Sequence, residues 1–194
     1  MDREYIQEGK AKILKNESVF YNPHMQFNRD LSSLAVGATK SLVPHLVVCD
    51  GMSASGIRGM RYALENENVE KMSFVDGEEA ACEFIRQNVK LNNLEEKSTV
   101  ICDDINHQLN RGEIRYNFVE LDPFGSPVPY IRTALINLRP SKLGILSVTA
   151  TDTAVLCGAH HKACIINYCA RPMHNYLCHE VGLRILIGHI ARIA

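Results

Sequence analysis

Residues 45–59 read HLVVCDGMSASGIRG, and this stretch sets the pattern that decides the fold. A short apolar run ends on an acid, a loop of small residues follows, and a helix is predicted from about Ile57 to Glu65. A buried strand, a tight turn and a helix in this order form the first half of a βαβ unit. The small residues serve only to turn the chain, or they let a ligand reach the backbone and the amino terminus of the helix. The loop lacks the G-x-G-x-x-G pattern of dinucleotide-binding proteins.

Working outward, four further short apolar runs are separated from one another by helical or irregular segments. The runs are MSFVD, STVIC, YNFVELD and LGILSVT, and helices are predicted at about 78–91 and 129–137. Runs that are apolar on both faces are typical of parallel strands covered by helices on both sides. The fold class is therefore predicted as α/β, with a doubly wound, mostly parallel sheet in a domain spanning residues 45–194.

Residues 1–44 are predicted to form a separate segment that folds over the ligand edge of this sheet. Within it, a helix is predicted from Leu31 to Leu42, with Asp30 as its N-cap. At the other end of the chain, Leu183, Leu186, Ile187 and Ile190 recur at helical spacing and predict a final helix.

Net charge, cysteine content and the pattern of apolar residues limit the kinds of protein that this sequence can encode. The net charge is −1 and the pI is near 6.7, so there is no basic excess that by itself indicates a nucleic-acid binder. The seven cysteines include no C-x-x-C pair, which favours reduced thiols in a cytoplasmic protein. The amino terminus lacks the apolar core of a signal peptide, and no membrane-spanning segment is predicted. No metal site is predicted, because Cys157, Cys164, His160 and His161 fit no known ligand spacing.

Acidic residues end successive predicted strands, at the edge where open α/β sheets bind ligands. Asp50 and Ser55 in the first loop are candidate cofactor-binding residues, and Asp76 ends the second strand where a ribose diol is often held. Asp103 or Asp104 ends the third strand, where an acid could meet an adenine amino group. A nucleoside ligand explains these acids together, whereas solvated strand ends explain each of them separately.

The fourth strand runs into Asp122-Pro123-Phe124. Proline lacks an N–H group, so the strand stops donating there and leaves the acid and the aromatic ring at the sheet edge. An enzyme that alkylates a nucleobase amine must orient that amine and accept its proton. The carboxylate and the proline carbonyl supply two acceptors, and the phenylalanine supplies a stacking face for an extruded base. The alternative is a prolyl turn with a buried phenylalanine.

Four stretches, VFYNPHMQFNRDLS, DGMSASGIRGMRYALE, FVELDPFGSPVPYI and LSVTATDTAVLCGA, together resemble the tRNA guanine-N2 dimethyltransferase family of the archaeal and eukaryotic type. The resemblance runs from about Gln7 to the end. It implies a class I methyltransferase, Rossmann-like fold that uses S-adenosylmethionine to methylate guanine 26 of tRNA, once and then twice, on its N2 amine.

The resemblance also implies roles for single residues. Arg29 and Arg58 would hold the cofactor, and Asp76 would take its ribose hydroxyls. Asp104, with the backbone of Ile105, would read the adenine. Asp122 would position and deprotonate the guanine amine while Phe124 stacks on the base. For Asp152 the resemblance suggests a substrate-side loop, whereas local sequence favours an N-cap of the next helix.

Members of this family continue past the length seen here, with further strands and a carboxyl-terminal domain that helps to bind tRNA. The chain is therefore expected to be a fragment that lacks that domain. Two other functions stay open at this point. One is a cofactor- or RNA-binding module with little catalytic activity, and the other is a nicotinamide-dependent oxidoreductase, which the absent glycine fingerprint disfavours.

Overall fold

The computed structural model describes residues 4–16, 18–139 and 143–194. In chain order, the strands and α-helices of this part are β1 (Tyr5–Glu8), β2 (Ala11–Leu14), α1 (Gln26–Ala38), β3 (Leu46–Gly51), α2 (Ile57–Glu65), β4 (Val69–Asp76), α3 (Glu79–Leu91), β5 (Ser98–Cys102), α4 (Ile105–Arg111), β6 (Phe118–Leu121), α5 (Val128–Asn137), β7 (Ile145–Val148), α6 (Thr153–Leu156), α7 (His161–Tyr168) and α8 (Cys178–Ile193). Short 3-10 helices cover Pro23–Met25 and Thr39–Ser41.

Five strands form one sheet in the order β5-β4-β3-β6-β7, and β1 pairs with β2 in a separate antiparallel hairpin. β4 runs parallel to both β3 and β5, and the register places Asp50 opposite Phe74 and Asp76 opposite Cys102. The predicted α/β fold with a doubly wound parallel sheet is confirmed. The strand order reverses beside β3, and open α/β sheets bind ligands beyond the carboxyl ends of the strands at such a point.

The first helix begins earlier than predicted. α1 starts at Gln26 rather than Leu31, so Asp30 lies inside the helix and the prediction that it is the N-cap is wrong. The start is set upstream, where the Asn22 side chain accepts a hydrogen bond from the His24 amide and Pro23 opens a 3-10 turn that leads into α1. The Asp30 carboxylate instead pairs with Arg61 at 2.5 Å.

Helix α4 was not predicted, because its seven residues show little apolar periodicity. Its ends are nevertheless well specified. Asp104 caps the first turn by accepting from the His107 amide at 3.1 Å, and Gly112 ends the helix with a φ of +65°. Short helices of this kind are defined by their caps rather than by a long amphipathic pattern.

The chain divides into two compact units. The first comprises the described residues of Met1–Glu120 and Asn137–Ser147, so the amino-terminal segment belongs to the same unit as β3, β4 and β5. The boundary predicted at residue 45 is therefore not the boundary between the compact units. The core of this unit is built from one apolar cluster, whose fully buried members include Ile13, Val36, Leu46, Val48, Met60, Tyr62, Met72, Phe74, Ile85 and Phe118.

The second unit comprises Leu121–Ile136 and Val148–Ala194. Its core joins Leu156, Cys164, Tyr168 and Leu186. The final helix is present as predicted, but its apolar face is only partly buried: Leu186 is 7% exposed, whereas Leu183 is 54% and Ile187 56% exposed. No helix in the described part of the chain is both long and apolar enough to cross a membrane.

Gly59 in α2 marks a close approach between this helix and the sheet. A Cβ atom at this position would lie 2.6 Å from Phe74 Cε1 and 2.8 Å from Asp50 Oδ2, and it would also overlap the end of Met72. We therefore expect Gly59→Ala to lower the free energy of unfolding by about 1–3 kcal/mol, as overpacked cores do.

The matched control for this substitution is Gly188→Ala in α8, because a Cβ there would meet no atom within 4 Å. Alanine is the better helix former by roughly 1 kcal/mol, so this variant is expected to be neutral or more stable. Urea denaturation followed by circular dichroism compares the two. Equal stabilities of Gly59→Ala and the wild type would contradict the close approach.

Candidate functional site

The loop after β3 adopts an unusual backbone conformation. Met52 and Ala54 have φ values of 60° and 48°, and Gly56 has a φ of 75°. Left-handed backbone is uncommon for residues other than glycine and is concentrated at functional sites, where the surroundings hold it in place. Here Ser53 does this, since its amide donates to the Val75 carbonyl at 3.0 Å and its hydroxyl donates to the Asp50 carbonyl at 2.6 Å.

The predicted cofactor residues Asp50 and Ser55 lie at the two ends of this loop, and both are buried. The Asp50 carboxylate accepts a hydrogen bond from the Gly59 amide at 3.0 Å and so satisfies the first turn of α2. The Ser55 carbonyl accepts from the Asn88 side chain at 3.1 Å. These contacts assign both residues a part in holding the loop, and their contact with a cofactor stays a prediction.

Asp76, at the end of β4, is the half-buried acid that faces this loop. One of its carboxylate oxygens accepts from the Ala54 amide at 2.8 Å and the other from the Glu78 amide at 3.0 Å. A carboxylate has about four acceptor positions, so lone pairs remain for a ligand. The next residue, Gly77, faces open space, since a Cβ there would meet nothing within 4 Å. This arrangement fits a ligand that donates two hydroxyl groups.

The acids after β5 differ in their surroundings. Asp103 is paired with His107 at 2.9 Å and with Arg111 at 3.3 Å, and the hydrogen bond from His107 lowers the pKa of Asp103. Asp104 is exposed and caps α4, while Ile105 is buried directly behind it. Of the two acids considered for a nucleobase contact, Asp104 is the more accessible.

Arg29 is buried, 5% exposed, and its guanidinium forms a forked pair with Glu8 at 2.8 and 2.5 Å. The same side chain donates to the Asn22 carbonyl at 3.0 Å. Burial alone would raise the pKa of Glu8, but hydrogen bonds from Arg29 and Arg61 outweigh it and lower that pKa. The Arg29 guanidinium also lies over the Tyr21 ring, 5.3 Å from its centroid, and its contact with a cofactor stays a prediction.

Arg58 is also buried and is held by polar groups of α1. Its Nη1 donates to Asn28 Oδ1 at 2.8 Å and to Ser32 Oγ at 3.0 Å, and it lies 3.7 Å from Glu120 Oε1. Glu120 has no exposed surface and accepts from the Tyr62 hydroxyl at 2.7 Å. Sequence reasoning missed Glu120. The available signal was an acid inside the apolar run FVEL, which buried strands exclude unless the charge is paired.

The second unit contains the DPF turn. Asp122 is half-buried, Pro123 is buried, and the Phe124 side chain is 78% exposed. The alternative of a buried phenylalanine is therefore wrong. The turn is fixed by Gly125, whose φ is +86° and whose amide donates to Thr151 Oγ1 at 2.6 Å.

A second polar cluster in this unit involves Asp152. This residue occupies the position before α6, but its side chain makes no capping hydrogen bond. Instead its two carboxylate oxygens each lie 2.9 Å from the Tyr168 hydroxyl, which is also 2.9 Å from Ser126 Oγ. Asp152 thus occupies the N-cap position as expected, but its side chain does not cap the helix. The side chain instead contacts Tyr168 of α7, which also contacts Ser126 in the DPF turn.

The predicted site residues fall in both units, and Arg29 in α1 and Arg58 in α2 belong to the first. The structure brings Asp50, Ser55, Asp76, Asp104 and Ile105 to the carboxyl ends of β3, β4 and β5 in the first unit. Asp122, Pro123 and Phe124 follow β6 directly in the chain and belong to the second unit.

The chain is similar to proteins of one known family. The family model described as TRM, N2,N2-dimethylguanosine tRNA methyltransferase, matches residues 2–194. A Pyrococcus horikoshii protein named tRNA (guanine(26)-N(2))-dimethyltransferase is 43% identical over 97% of this chain and 53% of its own length. An Aquifex aeolicus protein named tRNA (guanine(26)-N(2)/guanine(27)-N(2))-dimethyltransferase is 41% identical over 98% of this chain and 51% of its own length.

Among solved structures, Trm1 from Pyrococcus horikoshii in complex with S-adenosyl-L-methionine is similar with a TM-score of 0.90 and 42% identity, over 98% of this chain and 54% of that one. An Agrobacterium tumefaciens methyltransferase shares the fold alone, with a TM-score of 0.62 and 18% identity. The chain spans about half the length of the curated relatives it matches.

Proposed function

Because the chain belongs to the N2,N2-dimethylguanosine tRNA methyltransferase family, we propose that it transfers methyl groups from S-adenosylmethionine to the exocyclic N2 amine of guanine 26 in tRNA. The relatives' names support the reaction and the substrate, and the solved relative with bound S-adenosylmethionine supports the cofactor. A sheet with the strand order β5-β4-β3-β6-β7 supports a nucleoside-containing ligand at its carboxyl edge.

The observation that carries the cofactor proposal is the pairing of Asp76 with the strained loop after β3. Two backbone amides orient the Asp76 carboxylate and leave it further acceptor positions, and the neighbouring Gly77 faces open space. These acceptor positions fit a ribose diol, which can donate two hydroxyl groups to the two oxygens of one carboxylate. Asp104 and the backbone of Ile105 would read the adenine, while Arg29 and Arg58 hold α1 and contribute positive charge to the methionine carboxylate.

S-adenosylmethionine supplies an electrophilic methyl group on its sulfonium. The protein must then present a poor nucleophile correctly, because the lone pair of the guanine amine is delocalised into the ring. The Asp122 carboxylate accepts a hydrogen bond from one N–H group of that amine, and the Pro123 carbonyl accepts a hydrogen bond from the other. As the methyl group is transferred, Asp122 takes up the proton that the amine loses. Phe124, largely exposed, stacks on the extruded base.

The partner is tRNA, and the compartment proposed is the cytoplasm, where seven unpaired thiols stay reduced. A net charge of −1 means that phosphate contacts must come from local basic groups rather than from an overall positive field. Salt dependence of tRNA binding would report how many such contacts form.

The first test is calorimetric titration of the chain with S-adenosylmethionine, with a thermal melt of the same sample to establish that it is folded. Saturable binding at one site is the expected result. A folded chain that binds NADH and not S-adenosylmethionine would overturn the proposal in favour of an oxidoreductase. A chain that binds the cofactor but shows no methyl transfer to tRNA would favour a binding module.

Asp76→Asn is expected to weaken S-adenosylmethionine binding by about 10- to 100-fold, because hydrogen bonds to a charged acceptor are worth about 1.5–3 kcal/mol. The control is Asp103→Asn, an acid at the next strand end whose carboxylate is already paired with His107 and Arg111. That variant should bind the cofactor like the wild type. Equal losses in both variants would remove Asp76 from the assigned role.

A further inference from the structure

A cluster of two cysteines and one histidine lies in the second unit, and none of these three residues is assigned to the methyl-transfer reaction. The ligand atoms of Cys157, Cys178 and His179 all lie within 4.8 Å of one another. Cys157 follows α6, and the other two residues form the first turn of α8. The two thiols are half-buried and the imidazole is exposed.

Close packing of the backbone holds these elements together. Gly182, one turn into α8, approaches α6 so closely that a Cβ there would lie 3.3 Å from Leu156 Cβ. Gly158 has a φ of +93°, and a Cβ on it would lie 2.9 Å from the Met173 carbonyl group. The His174 imidazole, with Nδ1 3.2 Å from the Cys157 carbonyl oxygen, fixes the same segment. The cluster is therefore preorganised by the fold.

The distance between one thiol and the imidazole of the cluster is close to the distance expected for two ligands of a tetrahedral ion. Zn–S bonds of about 2.3 Å and Zn–N bonds of about 2.0–2.1 Å place a sulfur and a nitrogen about 3.6 Å apart around one ion. Cys157 Sγ and His179 Nδ1 are 3.4 Å apart.

We propose that Cys157, Cys178 and His179 bind one Zn²⁺ ion, with water from the exposed side as the fourth ligand. Two thiols and one imidazole are the donor set that favours zinc among the common divalent ions. Binding replaces the two thiol protons with one dication and leaves the imidazole neutral, so the cluster carries no net charge. The ion would join the end of α6 to the start of α8.

No metal site was predicted from the sequence, because Cys157 was considered only together with its neighbours in the chain. Cys164 is instead part of the buried apolar core, and the partners of Cys157 come from about 20 residues further along the chain. A C-x20-C-H spacing has no counterpart among the short zinc motifs. Only the packing of α6 against α8 brings the three ligands together.

The test uses the whole chain, reduced with a phosphine, stripped with EDTA and titrated with Co²⁺ as a spectroscopic probe. We expect one Co²⁺ per chain, with the visible d–d and thiolate charge-transfer absorption of a tetrahedral site, and full displacement by one equivalent of Zn²⁺. Zinc should also raise the thermal midpoint in a concentration-dependent way. An absence of these bands, or a stoichiometry near zero, would overturn the proposal.

Variants locate the site. Cys157→Ser, Cys178→Ser and His179→Asn should each lower zinc affinity by on the order of 100-fold or more, since even outer-shell changes cost 10- to 100-fold. Cys169→Ser and His161→Asn, which change exposed residues of the same unit, should leave it unchanged. His179 is exposed, so its variant tests the site even if a cysteine variant fails to fold. Metal binding that survives His179→Asn and Cys157→Ser, or a Cys157–Cys178 disulfide forming in place of metal binding, would contradict the assignment.

Discussion

Asp122→Asn is expected to slow methyl transfer to tRNA by about 10²- to 10⁴-fold, the range that a positioned proton acceptor contributes. Asparagine keeps the size and one acceptor oxygen but cannot take the amine proton. Asp122 is proposed to contact the guanine amine and not the cofactor, so the affinity for S-adenosylmethionine should change by less than about twofold, well under the 1.4 kcal/mol that a tenfold change requires. Single-turnover transfer of a labelled methyl group, with calorimetry of cofactor binding, measures both quantities.

The control is Glu180→Gln, which removes a carboxylate from the same unit. Glu180 is exposed and pairs with Arg184 one turn along α8. Its variant should transfer methyl groups at the wild-type rate. Equal rates for Asp122→Asn and the wild type would exclude Asp122 as the proton acceptor. A variant that loses cofactor affinity and transfer together would instead indicate that Asp122 supports the fold.

The sheet could be predicted from sequence because its information is local. Each strand is a short apolar run between turn residues, and α2 and α5 were predicted within about one residue of their observed bounds because their neighbours punctuate them clearly. Asp76 could be singled out for the same reason, since an acid that ends a strand must lie at the sheet edge. Of its two amide partners, Glu78 follows from the turn after β4, whereas Ala54 comes from the loop after β3 and could not be predicted locally.

What could not be predicted depends on groups that meet across long separations in the chain. Arg29 was assigned to the cofactor alone, since nothing in the sequence shows that Glu8 lies 2.5 Å away. Leu183 and Ile187 match the helical period of Leu186, yet of these three only Leu186 is buried. The buried face of α8 consists of Gly182, Leu186 and His189. Periodicity identifies a helix, but the partner surface decides which residues it covers.

The buried ion network around Glu8 leads to the second large effect, on stability. Glu8 is 2% exposed and accepts from Arg29 at 2.8 and 2.5 Å and from Arg61 at 2.9 Å, so it joins β1 to α1 and α2. Glu8→Ala leaves Arg29 buried without its carboxylate partner. Removing one member of a buried pair typically costs about 3–5 kcal/mol, and we expect a loss of that size in urea denaturation.

The matched control is Glu4→Ala, since Glu4 lies just before the same hairpin and pairs with Lys15 in an exposed ion pair, which should contribute little. The pH dependence separates charge from packing. The pKa of Glu8 is lowered in the folded protein from its usual 4.5, so its contribution is complete above that value and is lost as the pH falls through the lowered pKa. The stability gap between the wild type and Glu8→Ala should therefore be constant near neutral pH and narrow below about pH 4.5. A gap that does not change with pH would mean that Glu8 stabilises the hairpin through packing. The packing contribution of the side chain does not depend on protonation of the carboxylate, whereas the ion pairs with Arg29 and Arg61 do.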